Sequence, residues 1–182
     1  DNFTYYEADD YAVITGCKQN GGNIVIPQTI NGNPVTAIND EAFYNEYDNR
    51  YIYNVEIPDT VKYIGSYAFA KCRLESLDLP SALEYIGTEA FYDNRNINVD
   101  LTLPNNVKEI GDNAFTYSGI TGITLNNGLR AIGDEAFSQN DITSLVIPDS
   151  VTVCGKKLVN VGSYDYEGRF LTEITFGAGC RN

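Results

Sequence analysis

A solenoid of stacked repeats is the fold this sequence predicts, with short parallel strands on one face and short helical turns on the other. Two observations carry that expectation. The phrase Val61-Lys62-Tyr63-Ile64-Gly65-Ser66-Tyr67-Ala68-Phe69 returns at Leu83 to Phe91, at Val107 to Phe115 and at Leu129 to Phe137. Its closing Phe falls at 43, 69, 91, 115 and 137, in steps of 26, 22, 24 and 22 residues. A near-constant period in this range means stacked units of one kind, each too small to bury its apolar face alone. The chain reads as one domain of six to seven repeats of 22–26 residues: a cap over 1–23, repeats over 24–159, and a degenerate C-terminal repeat or cap over 160–182.

Each unit opens on an alternating stretch: Val55-Glu56-Ile57-Pro58, Leu77-Asp78-Leu79-Pro80, Leu101-Thr102-Leu103-Pro104, Ile123-Thr124-Leu125-Asn126 and Leu145-Val146-Ile147-Pro148. Apolar residues two apart share one face of a strand. Pro then ends the ladder, because it has no N–H to donate. Val or Leu at 61, 83, 107, 129 and 151 follows, then Ile at 64, 86, 110 and 132. The Gly at 65, 87, 111, 133 and 155 permits a sharp bend. The next residue is Asp40, Ser66, Thr88, Asp112 or Asp134, a set of good helix N-caps, so a short helical turn is expected to carry Ala and Phe inward. The first unit is longer, and its Asn31-Gly32-Asn33-Pro34 inserts a turn. In the sixth, Cys154, Lys156, Leu158 and Val159 replace Ile, the cap, Ala and Phe, as expected near a solenoid end.

Composition narrows the function. Charged residues are 20% of the 182, with 25 acidic against 12 basic side chains and a formal net charge of −13. That balance speaks against nucleic acid and anionic membranes, which require clustered basic surface. It suits a cationic partner, or simply solubility. No apolar run approaches the length of a membrane span. With no His in the chain, the usual base of a nucleophile triad is missing. No cofactor, metal centre or catalytic residue is expected.

The repeated Leu-x-Leu-Pro followed by x-x-Val-x-x-Ile-Gly-x-x-Ala-Phe resembles the BspA-like, or Treponema-type, leucine-rich repeats. The opening Tyr11-Ala12-Val13-Ile14-Thr15-Gly16, with Ile24-Val25-Ile26-Pro27 and Ile30-Asn31-Gly32, looks like the first repeat of such proteins. The likeness covers roughly 11–180. It implies a curved α/β leucine-rich repeat solenoid in an extracellular or cell-surface bacterial protein, its leader removed. It further implies a non-enzymatic module that binds other proteins, such as host extracellular-matrix or bacterial surface proteins, in adhesion.

Cys72 lies three residues after Phe69, where other units have Asn94, Ser118 and Asn140. In leucine-rich repeats this position satisfies backbone groups of the next turn, and Cys72 reads as a half-buried thiol. Cys154 and Cys180 fall at adjacent inward positions if Ile174-Thr175-Phe176 is a seventh strand. Two readings stand there: a disulfide, given Cα atoms within ~7 Å, or two small buried hydrophobes. Cys17 has no evident partner. Glu56 and Asp78 stack on one strand face, close enough to resemble a glycosidase pair. A shallow, wet face lacks the pocket that shifts a carboxyl pKa, so a solvated surface is the better reading. Asp93 to Asp100 and Glu46 to Asn49 are oxygen-rich, but neither fits a calcium-loop spacing.

The partner surface is read from insertions. The segment from Phe to the next strand end is expanded after Phe43, Phe91 and Val159, which places all three expansions on one edge. They hold Tyr44, Tyr47, Tyr51 and Tyr53; Tyr92 with Asn94; and Tyr164 with Tyr166. Tyr and Asn are what binding loops favour, although Tyr rings also pack over loop backbone. The outward strand positions Glu56, Asp78, Thr102 and Thr124 complete the candidate surface. Tyr63 and Tyr85 are expected to pack on the segment after the strand. The rival functions are a structural spacer, weak self-association through the terminal strand as a surface-layer element, and carbohydrate binding.

Overall fold

The computed structural model describes residues 2–19, 21–44, 51–159 and 173–180. Successive coils stack in parallel on a single hydrophobic core, as the period requires. Two β faces form rather than one. The larger is a nine-stranded sheet. Phe3–Glu7 pairs antiparallel with Ala12–Cys17, which pairs in parallel with Asn33–Ile38. Parallel rungs Tyr63–Ile64, Tyr85–Ile86, Glu109–Ile110, Ala131–Ile132 and Val153–Cys154 follow. Thr29–Ile30 folds back on Asn33–Ile38 through the turn at Asn31 and Gly32.

The Leu-x-Leu-Pro stretches make the second face, but as three parallel pairs. These are Gly22–Val25 with Ile52–Glu56, Asp100–Thr102 with Gly122–Thr124, and Ser144–Ile147 with Glu173–Phe176. Leu77-Asp78-Leu79 joins no ladder. The most continuous sheet therefore lies one segment later in the repeat than the alternation suggests.

The expected helical turns do not form, and no helix occurs among the described residues. The residue after each supposed cap explains why. Glu41, Tyr67, Glu89, Asn113, Glu135 and Lys157 all have φ between 50° and 57°, the left-handed region that ends a right-handed turn. The N–H groups of Glu41, Tyr67, Glu89, Asn113 and Glu135 bond forward to the next coil, Tyr67 to the Thr88 carbonyl at 2.9 Å, Glu89 to Asp112 and Asn113 to Asp134 at 2.8 Å. The inward Phe does the same, Phe91 N–H donating to the Ala114 carbonyl at 2.9 Å. A third ladder between coils replaces the bonds a helix makes within itself. The cap residues serve that ladder too. Asp112 Oδ1 accepts from the Asp134 N–H, and Asp134 Oδ1 from the Lys156 N–H, each at 2.7 Å.

The glycine column also differs from expectation. None of Gly65, Gly87, Gly111, Gly133 and Gly155 has a positive φ. A Cβ on Gly87 would lie 2.5 Å from the Gly65 carbonyl carbon, so glycine is needed for close approach of coils rather than for a bend.

Phe69, Phe91, Phe115 and Phe137 are fully buried and stack in series, with ring centroids 5.5, 5.3 and 6.0 Å apart. Full burial of such a ring contributes roughly 1.5–3 kcal/mol, so this spine stabilises the stack together with the buried Val, Leu and Ile columns. Between the coils runs a buried polar column. Asn94 Nδ2 donates to the carbonyls of Phe69 (2.7 Å) and Phe91 (3.0 Å), while its Oδ1 accepts from the Leu74 N–H (3.0 Å). Asn140 repeats the pattern on Phe115 and Phe137. These amides reach back to the preceding coil, not forward to the next. Cys72, expected half-buried, is fully buried, its Sγ 3.0 Å from the Phe43 carbonyl, and burial pushes its thiol pKa up. Cys154 and Cys180 are joined by a disulfide with Cα atoms 5.9 Å apart.

The outward side of the nine-stranded sheet carries one registered column. Tyr6 pairs with Val13 and Val13 with Ala37, then come Tyr63 and Tyr85, then Glu109, Ala131 and Val153. Seven of these eight side chains are apolar or aromatic, and Tyr6 (57%), Tyr63 (40%) and Val153 (60%) are the most exposed of the seven. Tyr63 and Tyr85 stack on each other, 4.7 Å between centroids and 5° between planes, rather than on the following segment.

Candidate functional site: a tyrosine-lined edge

The residue after the inward Phe is buried as Ala70, Thr116 and Ser138, and each coil then passes through a second left-handed position. That position is occupied by Lys71, Asp93, Tyr117 and Gln139, with φ of 59°, 56°, 57° and 59°. Tyr44 and Tyr92 follow Phe43 and Phe91 and lie half-buried on this edge. Each meets a second ring edge-on: Tyr44 with Tyr67 at 6.1 Å and Tyr92 with Tyr117 at 6.0 Å. Cations lie over the rings. The Arg73 guanidinium is 3.7 Å from the Tyr51 centroid, Arg95 is 4.8 Å from Tyr117, and Lys71 Nζ is 5.9 Å from Tyr44. Asp93 accepts a hydrogen bond from Arg95 Nε, which fixes the guanidinium over its ring.

The edge favours neutral phenols. The Tyr67 hydroxyl donates to Glu89 Oε1 at 3.0 Å, and that bond, with burial second, raises the Tyr67 pKa. Burial foremost, then the carboxylates of Asp93 and Glu89, raises that of Tyr92. Each side chain thus has few rotamers left, so a partner meeting this edge loses little entropy by ordering it.

The sequence-derived candidates separate here. Tyr44, Tyr51 and Tyr92 belong to the edge, and Tyr53 is exposed on the adjoining strand Ile52–Glu56. Asn94 does not reach the surface, since its amide is fully buried and bonded to backbone. Glu56, Asp78, Thr102 and Thr124 are exposed on the second β face, where Thr102 lies opposite Thr124 and Glu56 opposite Val25. Beside them Ser76 Oγ donates to Asn54 Oδ1, and Asn54 Nδ2 donates to Asn23 Oδ1. Tyr47, Tyr164, Tyr166 and the Glu46 to Asn49 stretch lie outside the described residues. Among the described residues, no group of three His, Cys, Asp or Glu side chains gathers to hold a metal ion.

Sequence reasoning missed Tyr67, Tyr117, Arg73 and Arg95. The spacing held a signal, because Arg73 and Arg95 both stand four residues after their Phe and so share a column.

The BspA type leucine-rich repeat region matches residues 36–162 in six copies. The chain belongs to the BspA type leucine-rich repeat family. Among solved structures, this BspA-type domain is similar to a leucine-rich cell surface protein from Faecalibacterium prausnitzii. The two are 27% identical with a TM-score of 0.66, over 96% of this chain and 53% of that one. It is also similar to the T. pallidum leucine-rich repeat protein TpLRR (23% identical, TM-score 0.57, 98% and 86% covered). The pneumococcal vaccine antigen PcpA has a TM-score of 0.71 at 21% identity, over 98% of this chain and 49% of that one. The last two likenesses bear on the fold alone. The chain spans about half the length of the Faecalibacterium protein. No curated protein sequence matches it. Within the described residues no helix is long and apolar enough to cross a membrane.

Proposed function

We propose that this BspA-type domain is a non-enzymatic protein-binding module of a bacterial cell-surface or secreted protein, acting in adhesion. Its contact surface is the tyrosine edge, flanked by the exposed strand positions Glu56, Asp78, Thr102 and Thr124. One observation carries the reading: the paired rings of Tyr44 with Tyr67 and Tyr92 with Tyr117, overlaid by Lys71 and Arg95. Tyr and Arg are the residues most enriched at the energetic centres of protein interfaces. The family's repeats and the likeness to a bacterial cell surface protein support the same reading.

The test is an array of immobilised extracellular-matrix proteins and glycans, probed at two salt concentrations. A protein hit should weaken with salt, because a chain of net charge −13 favours a basic partner. Replacing Tyr92 and Tyr117 together by Ala should weaken that hit about tenfold or more, the scale of an interface hot spot. Undiminished binding by the double variant would remove this edge from the account.

A further inference from the structure

The outward column of the nine-stranded sheet is unoccupied by any other part of the described chain, and its profile alternates in bulk. Small Ala37 is followed by the Tyr63–Tyr85 stack, and small Ala131 lies between Glu109 and exposed Val153. Around Ala131 the surface sinks into a hollow of about 180 Å3, walled by Tyr85, Glu109 and Val153 and floored by Gly111 and Gly133. Two charged rows flank the column. On the side where each strand enters stand Lys62, Glu84, Lys108 and Arg130; on the side where it leaves stand Asp40, Ser66, Thr88, Asp112, Asp134 and Lys156.

We propose that a second copy of this chain docks face to face on this sheet, about a two-fold axis parallel to the strands and midway between the Tyr85 and Glu109 rungs. Such an axis reverses the order of rungs and keeps each flank on its own side. An isologous contact then pairs every residue with a fixed opposite number, twice over. Tyr63 enters the hollow at Ala131 of the second copy. Val153 covers Ala37. The Tyr85 hydroxyl meets the Glu109 carboxylate, the one charge in the column. Along the flanks Glu84 meets Lys108, and Asp40 meets Lys156. The like-charge meeting, Lys62 with Arg130, is offset because Lys62 Nζ already lies 3.7 Å from Glu84.

Neighbouring registers fit worse. An axis through the Glu109 rung sets Glu109 against itself. An axis between Tyr63 and Tyr85 sets ring stack against ring stack and Asp40 against Asp112. Charge and shape together therefore select one register, and the occupant is a copy of the chain itself. This surface is separate from the tyrosine edge, so the two proposals fail independently.

Sedimentation of the 182-residue chain at physiological salt tests it. The expected result is a reversible dimer at high micromolar concentration. Asp40→Lys alone and Lys156→Asp alone should each raise the dissociation constant about tenfold, a typical loss for a close charge pair. The two together should restore it. Asp40 and Lys156 stand five rungs apart in one chain, roughly 24 Å at the spacing between strands, so rescue requires the second copy. Ala131→Arg, which breaks no hydrogen bond, should abolish the dimer by filling the hollow, and thermal melts confirm that each variant is folded. A monomer at every concentration overturns the proposal. So does a dimer that ignores Ala131→Arg, or a double charge variant as weak as the single ones.

Discussion

Tyr92 and Asn94 lie two residues apart in one turn of the solenoid and face opposite ways. The Tyr92 ring stands on the edge against Tyr117, half-buried there. The Asn94 amide points between coils and spends its donors and its acceptor on Phe69, Phe91 and Leu74. The same short loop thus supplies a contact residue and a structural one. The difference lies in what each side chain can satisfy: a carboxamide matches both backbone donors and acceptors, whereas a phenol ring fits no gap between coils.

A second contrast sets Asn94 against the outer carboxylates. Asn94 reaches back one coil from inside, while Asp112 and Asp134 reach forward one coil from outside. Both join coil to coil, but only the inner one does so without water as an alternative partner. Losing it should therefore cost far more.

The largest effect should follow Asn94→Ala. It strands the Leu74 N–H and the Phe69 and Phe91 carbonyls in the core, a loss of about 3–5 kcal/mol read from the urea midpoint. Next comes Gly87→Ala, whose Cβ meets the Gly65 backbone at 2.5 Å and should cost about 2–3 kcal/mol by overpacking. Tyr92→Ala removes an edge-to-face pair on a half-buried ring, so about 0.5–1.5 kcal/mol is expected. Asp134→Ala should be smallest, about 0.5–1 kcal/mol, since water replaces the lost acceptor at the exposed Lys156 N–H. An Asp134→Ala loss as large as that of Asn94→Ala would erase the distinction between inner and outer columns.

Titration separates the same regions. Amides do not ionise, but Asp59, which also joins coil to coil from outside, does. Asp59 Oδ1 accepts from the Ser81 N–H at 2.7 Å, and that bond holds its pKa below the usual 3.8. Its contribution is present above pH 3.8 and disappears as pH falls through the lowered folded value. At the other extreme, the raised phenols of Tyr67 and Tyr92 favour the folded state below pH 10.0, and that support is lost as pH rises through their folded values. Amide exchange should show the edge opening first at alkaline pH, with protection at Leu74 N–H unchanged until global unfolding.

The repeat, its length and its core were legible because Val, Ile, Ala and Phe recur at fixed offsets, and each stands buried where the pattern puts it. The conformation after the bend was not. Asp, Ser and Thr were read as helix caps because their oxygens accept backbone N–H groups, and Asp40, Asp112 and Asp134 do accept them, but across coils instead of along one. Nothing in Glu89 or Tyr67 as residue types announces a positive φ; stacking against the next coil imposes it. Asn94 was read with the surface because composition cannot tell an amide that faces a partner from one that faces backbone. Its alignment with Asn140, Ser118 and Cys72 carried the better signal, since a column of short polar side chains at one offset marks a place where every coil has the same orphaned groups.

The most direct test sets Tyr92→Ala beside Asn94→Ala, each measured for melting temperature and for binding to the protein hit of the matrix array. The account predicts that Tyr92→Ala melts within a few degrees of wild type yet binds at least several-fold more weakly, while Asn94→Ala melts much lower and, at a temperature where it is folded, binds as wild type does. The reverse assignment, with Asn94 carrying affinity and Tyr92 carrying only stability, would contradict it.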